Sequence, residues 1–442
     1  MAFQRDAFQV GAFQMDAATR AARWLGGQKF NLLERGTVTV SPGSDSLFGT
    51  ANLYDGDASQ PHRFSAGGAA LYVQVDGNLT QNPFFAAFSG AAPDNWTKRG
   101  TGTLTNDAGF PKLDGSSNLV LIEQDHATVR SGEWMQIQLK GRGNGPSGLH
   151  VRVINVATNS HLAPDGTWTQ SAVDAWVATA VAVQSITITF QMEGFARCGH
   201  QDLATLRVEL RAPAGEVGWA EQVLVLPGVN FCGVFGHKYL EGRFGGELRS
   251  SRDAFASESD LQAGLGPMQP AFYGLTSALF YRRYWRLAYA VAGTGPHTAS
   301  YTAPFQGEVV IGQARTLARQ PRSQFVAPWR TALRQPQMRV ASSIGRPRVY
   351  NQTSYPHADG ITIPFRLYSE TVGEDALAER EEIEGRCRAG AYPLIIIPDD
   401  TRPRVHFCRL PAAYDRSAWS PDAAGHDVDL VAQEEPFPQF GA

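Results

Sequence analysis

Charge is scarce in this sequence. Asp, Glu, Lys and Arg make up 18% of its 442 residues, and the formal net charge is −3. That balance excludes a general electrostatic affinity for nucleic acid or anionic membrane. Cysteine is scarcer still: Cys198, Cys232, Cys387 and Cys408 stand far apart, with no CxxC pair. A disulfide framework would be denser, so these read as reduced thiols in a protein made in a cytoplasm. The opening MAFQRDAFQV lacks the apolar segment of a secretory signal. No run reaches the roughly eighteen apolar residues of a membrane span. The expectation is a protein that stays soluble, or assembles, where it is synthesised. Catalytic signatures are also missing: there is no GxSxG elbow, no HExxH and no P-loop.

Turn formers and short β-branched runs are plentiful. The 45 glycines and 26 prolines, with 43% hydrophobic residues, fit a large all-β chain of about two to four domains. The first residues repeat Ala-Phe-Gln with a period of five, placing Phe3, Phe8 and Phe13 at equal spacing. Five matches neither the helical nor the strand period. Wet phenylalanine is costly. Residues 1–32 therefore read as an assembly arm whose Phe rings dock on a neighbouring subunit. A short helix is expected over Met15–Leu25, stopped by Gly26-Gly27.

Strand-like runs follow at Thr37–Val40 and Leu71–Val75, then throughout residues 81–226: Leu119–Ile122, Trp134–Leu139, Leu149–Ile154, Ile186–Phe190, Leu206–Leu210 and Val223–Leu226. Asp114-Gly115, Gly141–Gly148, Pro164-Asp165-Gly166 and Pro213-Ala214-Gly215 separate them as turns. Alternating short strands without helical interruption predict an antiparallel sandwich. Further strands are expected at Tyr284–Tyr289, Glu308–Gly312 and Ile361–Leu367. A capping box at Thr371 and Glu374 predicts a helix to about Ala389, with Gly390 as its cap. Leu394–Ile397 reads as a buried strand, returning through Arg404–Cys408. The Pro-punctuated Arg315–Arg348 stretch reads as a polar linker or a subunit interface, and Glu434–Ala442 as an arm or a loose tail.

Two segments flanking the sandwich carry a resemblance. Ala51-Asn52-Leu53-Tyr54-Asp55-Gly56-Asp57-Ala58-Ser59 resembles the opening of a discoidin-like (F5/8-type) jelly roll of phage tail proteins. Asn230–His237, Tyr284-Trp285-Arg286-Leu287 and Glu308–Gly312 resemble its later strands. Asn82-Pro83-Phe84, Pro93–Thr97 and Ser131-Gly132-Glu133-Trp134 resemble a carbohydrate-binding-module-like jelly roll. The C-terminal part resembles the domain that follows discoidin-like modules in some phage minor tail proteins.

The resemblance implies a mainly β, multidomain chain with one sandwich inserted in another and a β-rich C-terminal domain with one helix. The expected parts are an arm at 1–32, a split discoidin-like sandwich at 33–80 and 227–318, and an inserted jelly roll at 81–226. A tail-docking domain at 319–425 and a tail at 426–442 complete the chain. It implies a non-enzymatic virion protein of a tailed phage, sited in the tail, tail tip or baseplate. Its partners would be copies of itself and other virion proteins, with a host surface glycan as a further contact. Two alternatives stand beside it: a capsid decoration or fibre protein, and a glycan-binding accessory of a cell-surface polysaccharide system.

Sugar-binding sandwiches stack sugar rings on exposed aromatics. Trp96 follows a turn and Trp134 begins a strand, both common core positions. Trp168, after Asp165-Gly166, is the expected sugar contact. Other polar groups read as structural. Gly141–Gly145 is a hairpin loop, and Asp55-Gly56-Asp57 is a turn rather than a cation site. Cys198-Gly199-His200 offers too few ligands for zinc. Asp399-Asp400 fits a turn and Glu381-Glu382 a solvated helix face. No catalytic residue, metal or cofactor is expected.

Overall fold

The computed structural model describes residues 22–57, 60–65, 71–144, 148–194, 202–237, 244–267, 271–291, 305–317, 330–334, 337–341, 347–351, 358–366, 379, 381–397, 405–410 and 427–434. The protein is mainly β, and among the described residues one α-helix is present, over 381–387. The chain folds into two compact units. One takes Asp76–Gly228 with Phe280–Tyr284, and the other takes the rest, so one sandwich interrupts the other in sequence.

The inserted unit is a two-sheet sandwich. Its five-stranded sheet orders Gln184–Gln191, Trp134–Gly143, Val217–Pro227, Phe110–Asp114 and Thr103–Asp107. The path of the facing sheet runs Trp168–Thr169, Ser160–Leu162, Leu149–Asn155, Leu203–Ala212, Val120–Arg130 and Thr97–Gly100, with Trp176–Ala178 also paired to Leu149–Asn155. Strand period explains the core. Leu149, Val151 and Val153 from one sheet and Met135, Ile137 and Leu139 from the other point into a single apolar cluster. Each such fully buried aliphatic side chain contributes roughly 1.5–3 kcal/mol relative to exposure.

The glycine-rich stretch expected to be a hairpin loop connects strands of different sheets, Trp134–Gly143 and Leu149–Asn155, and its Gly143 and Gly148 are required by close backbone approach. A Cβ on Gly143 would lie 2.4 Å from the Ala178 carbonyl oxygen and 2.8 Å from the Gly148 Cα. No side chain fits between those backbones.

The other unit contains an eight-stranded sheet and a seven-stranded sheet. The first orders Thr37–Ser41, Leu71–Asp76, Tyr284–Val291, Phe244–Ser251, Asp260–Pro267, Ala271–Phe280, Val229–Phe235 and Val309–Gly312. The second orders Arg315–Thr316, Arg23–Gly26, Leu394–Ile397, His406–Arg409, Asp427–Glu434, Ala358–Arg366 and Arg330–Arg334. Leu394–Ile397 is buried on both faces, which explains its unbroken apolar run. Ile395 and Ile397 pack with Phe231, Phe235 and Val310. Leu394 and Ile396 pack with Ile383 and Cys387 near the helix.

Three expectations are corrected here. The segment read as the end of a free arm contains the strand Arg23–Gly26, where a helix had been expected; residues 1–21, with Phe3, Phe8 and Phe13, lie outside the described residues. Trp24 and Leu25 bury opposite faces of the seven-stranded sheet. Pairing of Arg23–Gly26 with Leu394–Ile397 and with Arg315–Thr316 outweighs the local helical pattern. The same pairings join the C-terminal strands to the earlier segments, so residues from 319 onward do not form a compact unit of their own. Nor is the Arg-rich stretch a plain linker. Arg315–Thr316 and Arg330–Arg334 are sheet strands, and Gln337–Ala341 pairs with Pro347–Asn351.

The helix continues into a 3-10 turn, Arg388–Gly390, where Gly390 has a φ of +91°. The Thr371–Glu374 capping box, Cys198-Gly199-His200, Asp399-Asp400 and the end beyond Glu434 lie outside the described residues.

Candidate functional site

The strand Trp134–Gly143 alternates through Trp-Met-Gln-Ile-Gln-Leu-Lys. Met135, Ile137 and Leu139 enter the core of the inserted sandwich. Trp134, Gln136, Gln138 and Lys140 therefore share the outer face of the five-stranded sheet. On the neighbouring strand, Gln191, Thr189, Thr187 and Ser185 stand opposite them. Lys140 lies six steps along the strand from Trp134, a row roughly 20 Å long.

The row is ordered by its own side chains. Gln138 Nε2 donates to Gln136 Oε1 at 2.8 Å, and Gln136 Nε2 donates to Thr189 Oγ1 at 3.1 Å. Gln191 Nε2 is held by the Gly132 carbonyl at 3.0 Å. Such fixed amides keep further donor and acceptor capacity for an incoming hydroxyl. Trp134, at one end, is 40% exposed.

The other end of this face is a closed arrangement. Trp219 donates Nε1–H to Asp107 Oδ2 at 2.7 Å. Lys112 Nζ lies 5.6 Å and Arg142 Cζ 4.9 Å from its ring centroid. These cations come from the two strands that flank Trp219 in the sheet. Cation–π contact of this kind holds the indole in place.

Trp168, expected to be the exposed sugar contact, is instead half-buried and committed to the fold. Its Nε1–H donates to the Gln191 carbonyl at 2.7 Å, and its ring meets Phe190 edge-on with centroids 5.7 Å apart. It packs on the sandwich core, as does Trp176. Trp96 is buried, in line with its expected place. Trp134 reverses its expected place. The signal that finds it is the alternation itself: with Met135, Ile137 and Leu139 inside, Trp134 must point out.

Other polar motifs serve local structure. Asp55 Oδ1 accepts from the Asp57 N–H at 2.9 Å, and Gly56 has a φ of +79°, so this segment is a turn. Glu382 pairs with both Arg315 and Arg386, while Glu381 is exposed. Among the described residues no group of three or more His, Cys, Asp and Glu side chains is arranged to hold a metal ion.

The site can therefore offer an aromatic face and a row of fixed amides and hydroxyls. That combination suits a ligand with apolar ring faces and many hydroxyl groups.

No known protein-family profile matches the chain, and no curated protein matches it in sequence. Among solved structures it is similar to the CBM22-1 xylan-binding domain from Paenibacillus barcinonensis Xyn10C. That likeness has 11% identity and a TM-score of 0.24, and covers 33% of this chain and 91% of the other. The structure of TmCBM61 in complex with β-1,4-galactotriose matches at 11% identity and a TM-score of 0.23, covering 34% and 98%. The enzymatically active domain of bacteriophage CBA120 tailspike protein 4 matches at 12% identity and a TM-score of 0.24, covering 34% and 21%. Likenesses this distant leave the functional argument to the residues of the chain itself.

Proposed function

We propose that this chain is a non-enzymatic, assembling component of a tailed-phage-type particle, sited in its tail, whose inserted sandwich contacts glycan on the host surface. The observation that carries the glycan reading is the Trp134, Gln136, Gln138 row on the outer face of the five-stranded sheet. An exposed indole stacks on a sugar ring, and fixed amides take its hydroxyls. The role is binding and assembly rather than turnover. The particle reading is supported by the order of the discoidin-like and inserted jelly-roll motifs along the sequence. Phe3, Phe8 and Phe13 on the opening repeat are proposed contacts to neighbouring subunits.

Immunogold labelling of intact particles with antibody against residues 76–228 tests the location. Label along the tail or at its tip is the expected result. Label spread over the capsid would replace it with a decoration role, and absence of particle-bound label would leave a free glycan-binding protein.

A further inference from the structure

On the opposite sheet of the inserted sandwich, His150 lies between two carboxylates from different segments. Its Nδ1 is 2.8 Å from Asp174 Oδ2 and its Nε2 is 3.0 Å from Glu216 Oε2. A neutral imidazole has one N–H and one lone pair, so it can donate to only one of them. When both carboxyls are ionised, only the doubly protonated ring can donate to the two of them. We propose that His150 is a pH-sensitive clasp: as imidazolium it ties strand Leu149–Asn155 to the Asp174 segment and to the Glu216 turn, and on losing its proton it releases one of them.

The surroundings support a clasp with a defined direction. Asp174 also accepts from Arg152 Nε at 2.7 Å and lies 3.8 Å from Arg211 NH1. With its charge so compensated, and with His150 bonded to it, its carboxyl is held down at about 2 despite partial burial. Glu209 stands opposite Arg152 across the strands, and His161 is within electrostatic reach of Arg152 and Asp174. Asp174 directly precedes Ala175, which is buried and whose N–H donates to the Val151 carbonyl at 2.8 Å. Glu216 closes the turn in which Gly215 has a φ of +90°. The clasp thus spans the edge of the sheet and the connection between Leu203–Ala212 and Val217–Pro227.

The hydrogen bond to Asp174, and then the charges of Asp174 and Glu216, raise the His150 pKa above its ordinary 6.5, against the opposing effect of burial. A base raised on folding contributes stability that is complete below its unfolded value and is lost as pH rises through the folded one.

The test uses the full chain with carbon-13-labelled histidine, the His150 signal being assigned by its loss in His150→Gln. The expected titration midpoint lies above 6.5 and falls in Glu216→Gln, which removes one anionic partner while keeping a polar side chain. Between pH 6 and pH 9 the wild-type melting temperature should fall more than that of His150→Gln, with amide protection factors at residues 170–176, corrected for the intrinsic rate at each pH, falling in parallel. A midpoint at or below 6.5, no response to Glu216→Gln, or the same pH profile in His150→Gln would overturn the clasp.

Discussion

Replacing Trp134 by alanine is expected to weaken glycan binding by the full chain at least about 30-fold, the loss of roughly 2 kcal/mol or more that follows removal of a central aromatic anchor. Stability should change little, because the ring is 40% exposed and substitutions at such surface positions usually stay within about 0.5 kcal/mol. Trp168→Ala should do the reverse. It removes a side chain packed on the sandwich core and the N–H donor to the Gln191 carbonyl. Losing that packing and the hydrogen bond should cost about 1–3 kcal/mol in unfolding experiments. Glycan affinity measured on the fraction that remains folded should be preserved. The pair of variants separates a binding tryptophan from a structural one. A Trp134→Ala protein that retains full affinity for a bound glycan would remove this residue from the site.

The second large effect concerns Glu308, just before strand Val309–Gly312. It is fully buried; its Oε2 accepts from the Gly56 N–H at 3.1 Å, and the Asn31 side chain also hydrogen-bonds the carboxyl. Burial, and then the nearby charges of Asp55 and Glu34, push its carboxyl well above the ordinary carboxylate range. An acid raised on folding costs nothing while it is protonated in both states, below about 4.5. The cost grows as pH rises toward the folded value, because the unfolded chain releases a proton that the folded chain keeps. Glu308→Gln removes that linkage and retains an oxygen for the Gly56 N–H. The variant should melt close to wild type at pH 4. At pH 8 it should be more stable, by about 1.4 kcal/mol for each pH unit between the unfolded value and the folded one. Thermal melts at the two pH values decide this: equal displacement at both would mean that Glu308 ionisation is not coupled to folding.

Much of the fold was legible because alternation is a local signal. Leu149–Ile154 and Trp134–Leu139 announced half-buried strands, and Leu394–Ile397 a strand covered on both faces. The strand Arg23–Gly26 was not legible, because its reason lies in partners 293 and 368 residues away, Arg23 pairing with Thr316 and Gly26 with Leu394.

At the proposed site, the sequence pointed to the inserted sandwich and to Trp168, whereas the more exposed tryptophan is Trp134. The turn before Trp168 suggested exposure, whereas tertiary contacts with Phe190 and Gln191 half-bury it. Trp134 could have been placed by reading the alternation within Trp134–Leu139, which puts Met135, Ile137 and Leu139 on one face and Trp134 on the other. His150 is different in kind: Asp174 and Glu216 lie 24 and 66 residues away, and only folding brings all three together.

The most direct measurement is a crystal structure of the full chain with the glycan that binds best from a panel of surface polysaccharide fragments. The expected density is a sugar ring lying on the Trp134 indole, with its hydroxyls on Gln136 and Gln138. A glycan seated elsewhere on the protein, with the Trp134 row bare, would contradict the assignment of this face as the contact surface.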